Sequence, residues 1–206
     1  MIREKLTSEK VHIRILYLSI IFIVVFLGLT ALSYFILPEG FLLNQNNFKN
    51  FETSSNLIFS TLQIFLFNMI SIVFVIIGSC FAKKKEKHQN YMSLGYWCFI
   101  ICISINAITL GTWSFSSQTE SVPLIVRIIG IFNITKNAGL IEMFGQLLIT
   151  CSFANKYLVM TYKKETQTRK IKDIKCTKQE IIFLILGIVL MFIGAMIESN
   201  SIIALS

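Results

Sequence analysis

The polar side chains best suited to chemistry lie inside long apolar segments of this 206-residue chain. Glu142 and Gln146 are four residues apart, which places them on one face of a helix. Glu198 closes a second apolar segment, and Asn106 and Thr109 share a helix face in a third. A carboxylate in such surroundings is costly and attracts positive charge. These residues are therefore candidates for a site that binds a cationic peptide, a proton or an ion.

A second polar stripe lies in another apolar segment and consists of Ser60, Gln63, Asn68 and Ser71. Polar residues in membrane helices also form hydrogen bonds between helices, typically worth under about 2 kcal/mol per contact. A structural role is therefore the alternative for the stripe and for Glu142. Glu198 also fits a place at the water interface.

Catalytic signatures are missing from the sequence. The two histidines, His12 and His88, lie in polar flanks outside the apolar segments, and the single aspartate, Asp173, lies in a basic segment. There is no H-E-x-x-H motif, no phosphate-binding G-x-x-x-x-G-K-[ST] motif and no C-x-x-C pair among the five cysteines. We therefore expect a non-enzymatic protein without a metal ion or a cofactor.

Five apolar segments must position these residues. A membrane-spanning helix needs about 20 apolar residues, and only 15% of this chain is charged. Within the fourth segment, Lys156 is expected to extend its ammonium group to the interface. We predict an all-α, polytopic membrane protein, a single integral membrane domain over residues 1–206, with spans at Ile15–Leu37, Leu57–Ala82, Tyr91–Phe115, Leu140–Tyr162 and Ile181–Ile197.

The distribution of positive charge orients the predicted spans. Four Lys or Arg residues occur in residues 1–14, four in 83–90 and seven in 163–180, against one in 38–56 and two in 116–139. Because cytoplasmic loops are enriched in Lys and Arg, this alternation predicts five spans with a cytoplasmic N-terminus and an external C-terminus. The seven basic residues of the last loop are Lys163, Lys164, Arg169, Lys170, Lys172, Lys175 and Lys178.

The net charge of +8 fits contact with anionic lipid headgroups, not nucleic acid, because the basic residues flank apolar segments. The loop 163–180 is expected to contact headgroups, and an acidic partner surface is the alternative. The segment Val122–Ile134 is apolar but contains Arg127 and is too short to span. We predict an interfacial or re-entrant helix there, on the outer side between the third and fourth spans. The alternative is a sixth span, which would place the loop 163–180 outside.

This topology brings Asn106, Glu142 and Glu198 into the outer parts of three successive helices. It therefore predicts a polar cluster open toward the exterior. Gly187 and Gly194 are seven residues apart on one helix face, which allows close helix packing.

Three short patterns occur in the order found in a known family. Residues 106–111 (NAITLG) resemble an N-G-x-x-x-G motif, with Ala107 replacing the first glycine. Residues 138–142 (AGLIE) resemble an H-G-x-x-E motif, with Ala138 where histidine is usual, and residues 195–198 (AMIE) resemble a terminal A-x-I-E segment. Together, over roughly residues 15–206, they resemble the stage II sporulation protein M family of bacterial integral membrane proteins.

The resemblance implies a non-enzymatic component of the bacterial cytoplasmic membrane that works with partner proteins. Family members are associated with envelope remodelling in sporulation, or are encoded with circular bacteriocins and serve their export, maturation or immunity. The implied partners are other membrane proteins, including ABC transporter components, or a cationic peptide. A membrane scaffold and a small channel or transporter subunit are the alternatives. Any proton or metal chemistry of the family's histidine is closed to this chain, because Ala138 replaces it.

Overall fold

The computed structural model describes residues 2–43, 54–114, 122–131 and 138–204. This part of the chain is mostly helical, as predicted. Its helices are α1 (Ile2–Leu6), α2 (Val11–Ile36), α3 (Leu57–Ser79), α4 (Gly95–Gly111), α5 (Leu124–Ile131), α6 (Gly139–Phe153) and α7 (Lys178–Ile203). Its strands are β1 (Phe81–Lys84), β2 (Met92–Ser93), β3 (Val159–Tyr162) and β4 (Glu165–Thr168), and a 3₁₀ turn covers Ile171–Asp173.

Three helices, α2, α3 and α7, are long and apolar enough to cross a membrane. Their outer faces expose large apolar side chains such as Val24 and Phe35, as expected for contact with lipid. The other two apolar helices are shorter, with 17 residues in α4 and 15 in α6. At 1.5 Å per residue, α6 is about 22 Å long, less than the roughly 30 Å hydrocarbon core of a bilayer.

The five apolar helices form a bundle with two distinct ends. The sheet end holds the four strands and the start of α2, and the α5 end holds α5 and the C-terminal end of α4. Helix α6 is the central element, in contact with α2, α3, α4 and α7. Its Leu147 and Leu148 are buried in a core that includes Phe99 and Ile103 of α4.

Helices α6 and α7 pack backbone against backbone. A Cβ atom placed on Gly145 would lie 2.6 Å from the carbonyl oxygen of Gly187, and one on Gly187 would lie 2.7 Å from that of Gly145. One placed on Gly194 would overlap the side chain of Glu142. Gly187 and Gly194 therefore both face α6, as the spacing of these glycines predicted. Van der Waals packing of small residues is the main attraction between helices in lipid.

The NAITLG segment of α4 packs against α2 through its small residues. The Thr30 hydroxyl donates a hydrogen bond to the Ala107 carbonyl at 3.3 Å. A Cβ on Gly111 would overlap Ser33 and the Thr30 carbonyl. The two small positions of this motif therefore let α2 and α4 approach closely.

The two predicted basic loops join in a four-stranded sheet, in the order β2-β1-β3-β4. Strand β1 pairs antiparallel with β2 and parallel with β3, and β3 pairs antiparallel with β4. The all-α prediction was wrong in omitting this sheet. Its strands include Val159, Thr161 and Tyr162, and β-branched and aromatic residues of this kind favour strands.

The sheet also shortens three of the predicted spans. The span predicted at Leu140–Tyr162 was wrong in its second half, because α6 ends at Phe153 and the chain enters β3 at Val159. The span predicted at Leu57–Ala82 ends at Ser79, and Tyr91–Phe115 becomes α4 at Gly95–Gly111. An apolar segment without strong helix-stop signals does not reveal where a helix ends and a strand begins.

A short helix does form inside the segment Val122–Ile134, as predicted, and Arg127 attaches it to the bundle. The buried Arg127 guanidinium donates to the Val122 carbonyl at 2.6 Å, to the Gly111 carbonyl and to the Glu39 carboxylate. It also stacks on the Tyr34 ring, 4.7 Å from the ring centroid. The charge is thus satisfied by Glu39, just after α2, and by the end of α4, while Ile125 and Ile129 of α5 stay exposed.

The α6–α7 contact generates a matched pair of glycine substitutions. We expect Gly145→Ala to destabilise the protein by about 1–3 kcal/mol, because the new methyl group meets backbone that cannot rotate away. Gly28→Ala in α2 is the control, because no described atom lies within 4 Å of its Cβ position. Unfolding in detergent would be followed by circular dichroism. Equal stability of the two variants would contradict the close contact.

Candidate functional site

Glu142 lies in the interior of the bundle, where α3, α6 and α7 meet. It occupies the first turn of α6, where the helix dipole favours a negative charge, and only 8% of it is exposed. Its Oε1 accepts a hydrogen bond of 2.7 Å from the Asn68 amide of α3, and its Cγ fills the space beside Gly194 of α7. Three helices thus hold one carboxylate.

A polar network extends from Glu142 along the interface of α3 and α6. The Gln146 amide donates to the Ser71 hydroxyl at 2.9 Å, and that hydroxyl donates to the Asn68 carbonyl at 2.6 Å. The Oε1 atom of Gln146 is buried and has no hydrogen-bond partner among the described residues. One helical turn from Glu142, the network therefore keeps an unused acceptor.

Glu198 continues the same face of α7 toward the α5 end. It follows Gly187, Met191 and Gly194 at helical spacing, so it lies one turn beyond Gly194. Because Gly194 contacts the Glu142 side chain, Glu198 lies one helical turn from that contact. Glu142 is buried, whereas Glu198 is exposed. Helix α6 begins only three residues before Glu142, so it does not extend far enough to cover Glu198 on α7.

The two sides of this carboxylate pair differ in polarity. Toward the α5 end, a Cβ on Gly139 in the first turn of α6 would have no described atom within 4 Å. Toward the sheet end, Ile72, Ile149 and Met191 form a buried apolar cluster directly next to the polar network. An apolar layer therefore separates the polar network from the sheet end.

The remaining predicted polar residues lie apart from the carboxylate pair. Asn106 is exposed on α4, and the Thr109 hydroxyl donates to the Ile105 carbonyl of its own helix. In the second stripe, Gln63 accepts a hydrogen bond from the Ser54 backbone amide at 3.0 Å, and Ser60 is buried. The hydrogen bonds of the described residues do not join Asn106 to either carboxylate, so the cluster centres on Glu142, Asn68, Gln146 and Glu198.

The predicted basic patch is spread over the sheet and the segment that leads into α7. Lys163 and Lys164 form the turn between β3 and β4, and Arg169 follows β4. Most of the patch is exposed to solvent and Arg169 is half-buried. The other four basic residues are exposed. They lie next to or in the 3₁₀ turn, before α7 and at its first residue, and are Lys170, Lys172, Lys175 and Lys178.

A buried ion cluster that we did not predict fixes the position of α6. Glu180, in the first turn of α7, accepts hydrogen bonds from Arg14 at 2.7 Å and from Lys156 at 2.6 Å. The Lys156 ammonium also donates to the Lys175 carbonyl at 2.6 Å. The Lys156 side chain, of which 10% is exposed, is thus paired inside the protein, and its position at the membrane interface stays a prediction.

A sequence signal for this cluster was present. Thr177-x-x-Glu180 directly before an apolar segment is a capping box, which satisfies the first amide groups of a helix. The Thr177 hydroxyl accepts from the Glu180 amide at 3.2 Å, and the Glu180 carboxylate accepts from the Thr177 amide at 2.9 Å. The pattern predicts the start of α7 at this point, but not the approach of Arg14 and Lys156.

The arrangement suits reversible capture of a cation. Two carboxyl groups and an unused amide oxygen lie close together between α3, α6 and α7, and low-dielectric surroundings strengthen their attraction for a positive charge. Within the described ranges, no three His, Cys, Asp or Glu residues are grouped as metal ligands. The exposed Glu198 is the member of the pair that a positively charged group can reach directly.

Comparison of the chain with protein-family models, with curated protein sequences and with solved structures finds no match. The resemblance to the stage II sporulation protein M family therefore stays a prediction. The site is interpreted below from its own geometry.

The buried ion cluster leads to a test of stability. We expect Glu180→Gln to lower the free energy of unfolding by about 3–5 kcal/mol, because it leaves Arg14 and Lys156 buried without a counter-charge. Glu86→Gln is the control, since Glu86 pairs with His88 on the surface, where ion pairs contribute little. Detergent-based unfolding measures both variants. A Glu180→Gln protein as stable as the control would show that the cluster does not anchor α6.

Proposed function

We propose that this chain is a non-enzymatic accessory protein of the bacterial cytoplasmic membrane, of the stage II sporulation protein M type. It handles a cationic, membrane-active peptide resembling a circular bacteriocin, in export, maturation or immunity, together with partner membrane proteins such as ABC transporter components. The observation that carries this proposal is the carboxylate pair, Glu142 and Glu198, which α6 and α7 place toward the α5 end of a bundle of apolar helices.

The proposed topology has five spans, with the sheet end in the cytoplasm and the α5 end outside. The short helices α4 and α6 cross with the help of the residues that flank them, and α5 lies at the outer interface. In this orientation the carboxylate pair faces the exterior, where a secreted peptide is encountered. Electrostatic complementarity favours a cationic ligand at such a surface.

Peptide capture is favoured over ion passage by the apolar cluster of Ile72, Ile149 and Met191. These residues are at most 1% exposed and lie between the polar network and the sheet end. These apolar side chains interrupt a continuous polar path through one copy of the chain, which ion passage would require. The site is therefore better suited to hold a ligand that arrives from one side and leaves by it.

A scaffold for envelope remodelling is the second candidate, and strand β4 favours it. All four residues of β4 are exposed, and β4 is the edge of the sheet. A free edge strand offers backbone groups for pairing with a partner strand. In this alternative the sheet, and not the carboxylate pair, determines activity.

The proposed orientation predicts one-sided labelling of a native cysteine. Cys176 is exposed in the segment before α7, whereas the other four cysteines are buried or half-buried. In intact spheroplasts we expect a membrane-impermeant maleimide to leave Cys176 unlabelled, and to label it after lysis. Cys176→Ser is the control that identifies the labelled site. Labelling before lysis that disappears in Cys176→Ser would reverse the orientation.

The proposed ligand site predicts loss of function without loss of insertion. We expect Glu142→Gln combined with Glu198→Gln to reduce co-purification of a cationic peptide at least about tenfold, because both attractive charges are removed. The tagged protein would be isolated in mild detergent from the cells that encode it, with partners identified by mass spectrometry. Glu165→Gln in the exposed strand β4 is the control.

Two results of that experiment would redirect the proposal. Peptide recovery that is unchanged in the double variant would exclude the carboxylate pair from the mechanism. Envelope enzymes in place of a peptide, lost on changes in β4 but not at Glu142, would favour the scaffold.

A further inference from the structure

A row of three cations and three tyrosine rings crosses the sheet end of the bundle. At its centre, the Lys84 ammonium lies 4.7 Å from the Tyr91 ring centroid and 5.0 Å from that of Tyr162. Contacts of this kind orient a cation without neutralising it. We call this set the cation–tyrosine row, and its members are Arg169, Tyr157, Tyr91, Lys84, Tyr162 and Lys163.

The two ends of the row repeat the same contact. The Arg169 guanidinium lies 5.2 Å from the Tyr157 ring, and Tyr157 stacks near Tyr91 with their centroids 6.0 Å apart. At the other end, the Lys163 ammonium lies 5.5 Å from the Tyr162 ring. The row thus joins residues from both basic loops, which the parallel pairing of β1 and β3 brings together.

The positive charges of the row remain available to an anion. Among the described residues, Lys84, Lys163 and Arg169 form no salt bridge with a carboxylate. The Lys84 ammonium makes one long hydrogen bond, 3.4 Å to the Lys87 carbonyl. Glu165, which lies opposite Tyr162 in the pairing of β3 and β4, is exposed. Ammonium and guanidinium groups that keep free donors bind phosphate oxygens well.

The row lies where the apolar helices end. Tyr157 follows the last residue of α6, Phe153, and Tyr91 precedes the first residue of α4, Gly95. Close to it in sequence, Ile171 is 75% exposed between two lysines, although it is a large apolar side chain. Tyrosines, basic residues and an exposed apolar side chain at helix ends are the composition of a membrane–water interface.

We propose that the cation–tyrosine row is a binding site for the phosphate headgroups of anionic phospholipids in the leaflet at the sheet end. The three cations attract the headgroup phosphate, the tyrosine rings hold them at headgroup depth, and Ile171 contacts the acyl chains. This site is independent of the carboxylate pair and of the peptide-handling function proposed above. An acidic protein partner would match the charges but leave the exposed Ile171 and the position at the helix ends unexplained.

The test compares lipids of equal chain length on the full-length protein in neutral detergent. We expect phosphatidylglycerol to raise the thermal midpoint of unfolding more than phosphatidylcholine does. In Lys84→Gln/Arg169→Gln, half-saturation should need roughly 30-fold more phosphatidylglycerol, because each basic residue near a charged surface contributes about fivefold. Lys85→Gln/Lys87→Gln is the matched control, because it also removes two charges, but from the exposed turn between β1 and β2.

A variant of one ring keeps the test independent of the charge changes. Tyr157→Phe retains the ring and should bind phosphatidylglycerol like the wild type, whereas Tyr157→Leu should bind it more weakly. Equal losses in the two double variants would overturn the proposal, because they would indicate general surface charge. Stabilisation by inorganic phosphate to the same extent as by phosphatidylglycerol would also overturn the proposal. Equal stabilisation by polyglutamate would overturn it in favour of an acidic protein partner.

Discussion

The depth of α6 in the bundle depends on the buried carboxylate of Glu180. That carboxylate binds Lys156, just beyond the end of α6, and Arg14, near the start of α2, so it ties three parts of the chain at the sheet end. Because α6 has only 15 residues, fixing one of its ends at the sheet leaves the other below the α5 end of the bundle. The position of the candidate site follows from this length and this anchor.

Several features of the interior are consequences of the short central helix. Glycines at 145 and 187 allow α6 and α7 to touch along their backbones, and the same line of α7 leads through Gly194 to Glu198. At the α5 end of the bundle, α7 extends beyond the first residues of α6. Glu198 of α7 is therefore exposed, while Glu142 of α6 is enclosed. The carboxylate pair thus arises from the difference in length between two adjacent helices. Its separation from the sheet end by apolar side chains arises from the close packing of the same helices.

Periodicity and charge predicted the parts of the structure that depend on local sequence. The apolar segments, the shared face of Gly187 and Gly194 and the short helix around Arg127 all follow from spacing and composition, and the structure contains them. The early end of α6 could not be predicted, because Val159 and Tyr162 are as apolar as the helix before them. The strands became visible only when the two loops were placed side by side, which requires long-range pairing.

In the candidate site too, features that depend on local sequence were predicted and features that depend on long-range packing were not. Glu142 and Gln146 were identified from their spacing, and the structure adds Asn68 and Ser71 from the second stripe as their direct partners. Asn106 was expected to join them because it lies near the outer end of its predicted span, but it lies exposed on α4. Depth along a helix is predictable from sequence, whereas rotation toward a particular neighbour depends on packing. Glu180 was missed for the related reason that its partners come from distant parts of the chain.

The parallel pairing of β1 with β3 has a consequence for biogenesis. These strands are separated in the chain by the whole of α4, α5 and α6, so the sheet cannot close before α6 has been synthesised and has taken its place. A ribosome-bound chain of which only the first apolar helices have been synthesised therefore lacks the four-stranded sheet. Closure of the sheet therefore requires α6 to be in place but not α7, which follows β4 in the chain, and protease resistance of the basic loops would report that closure during synthesis.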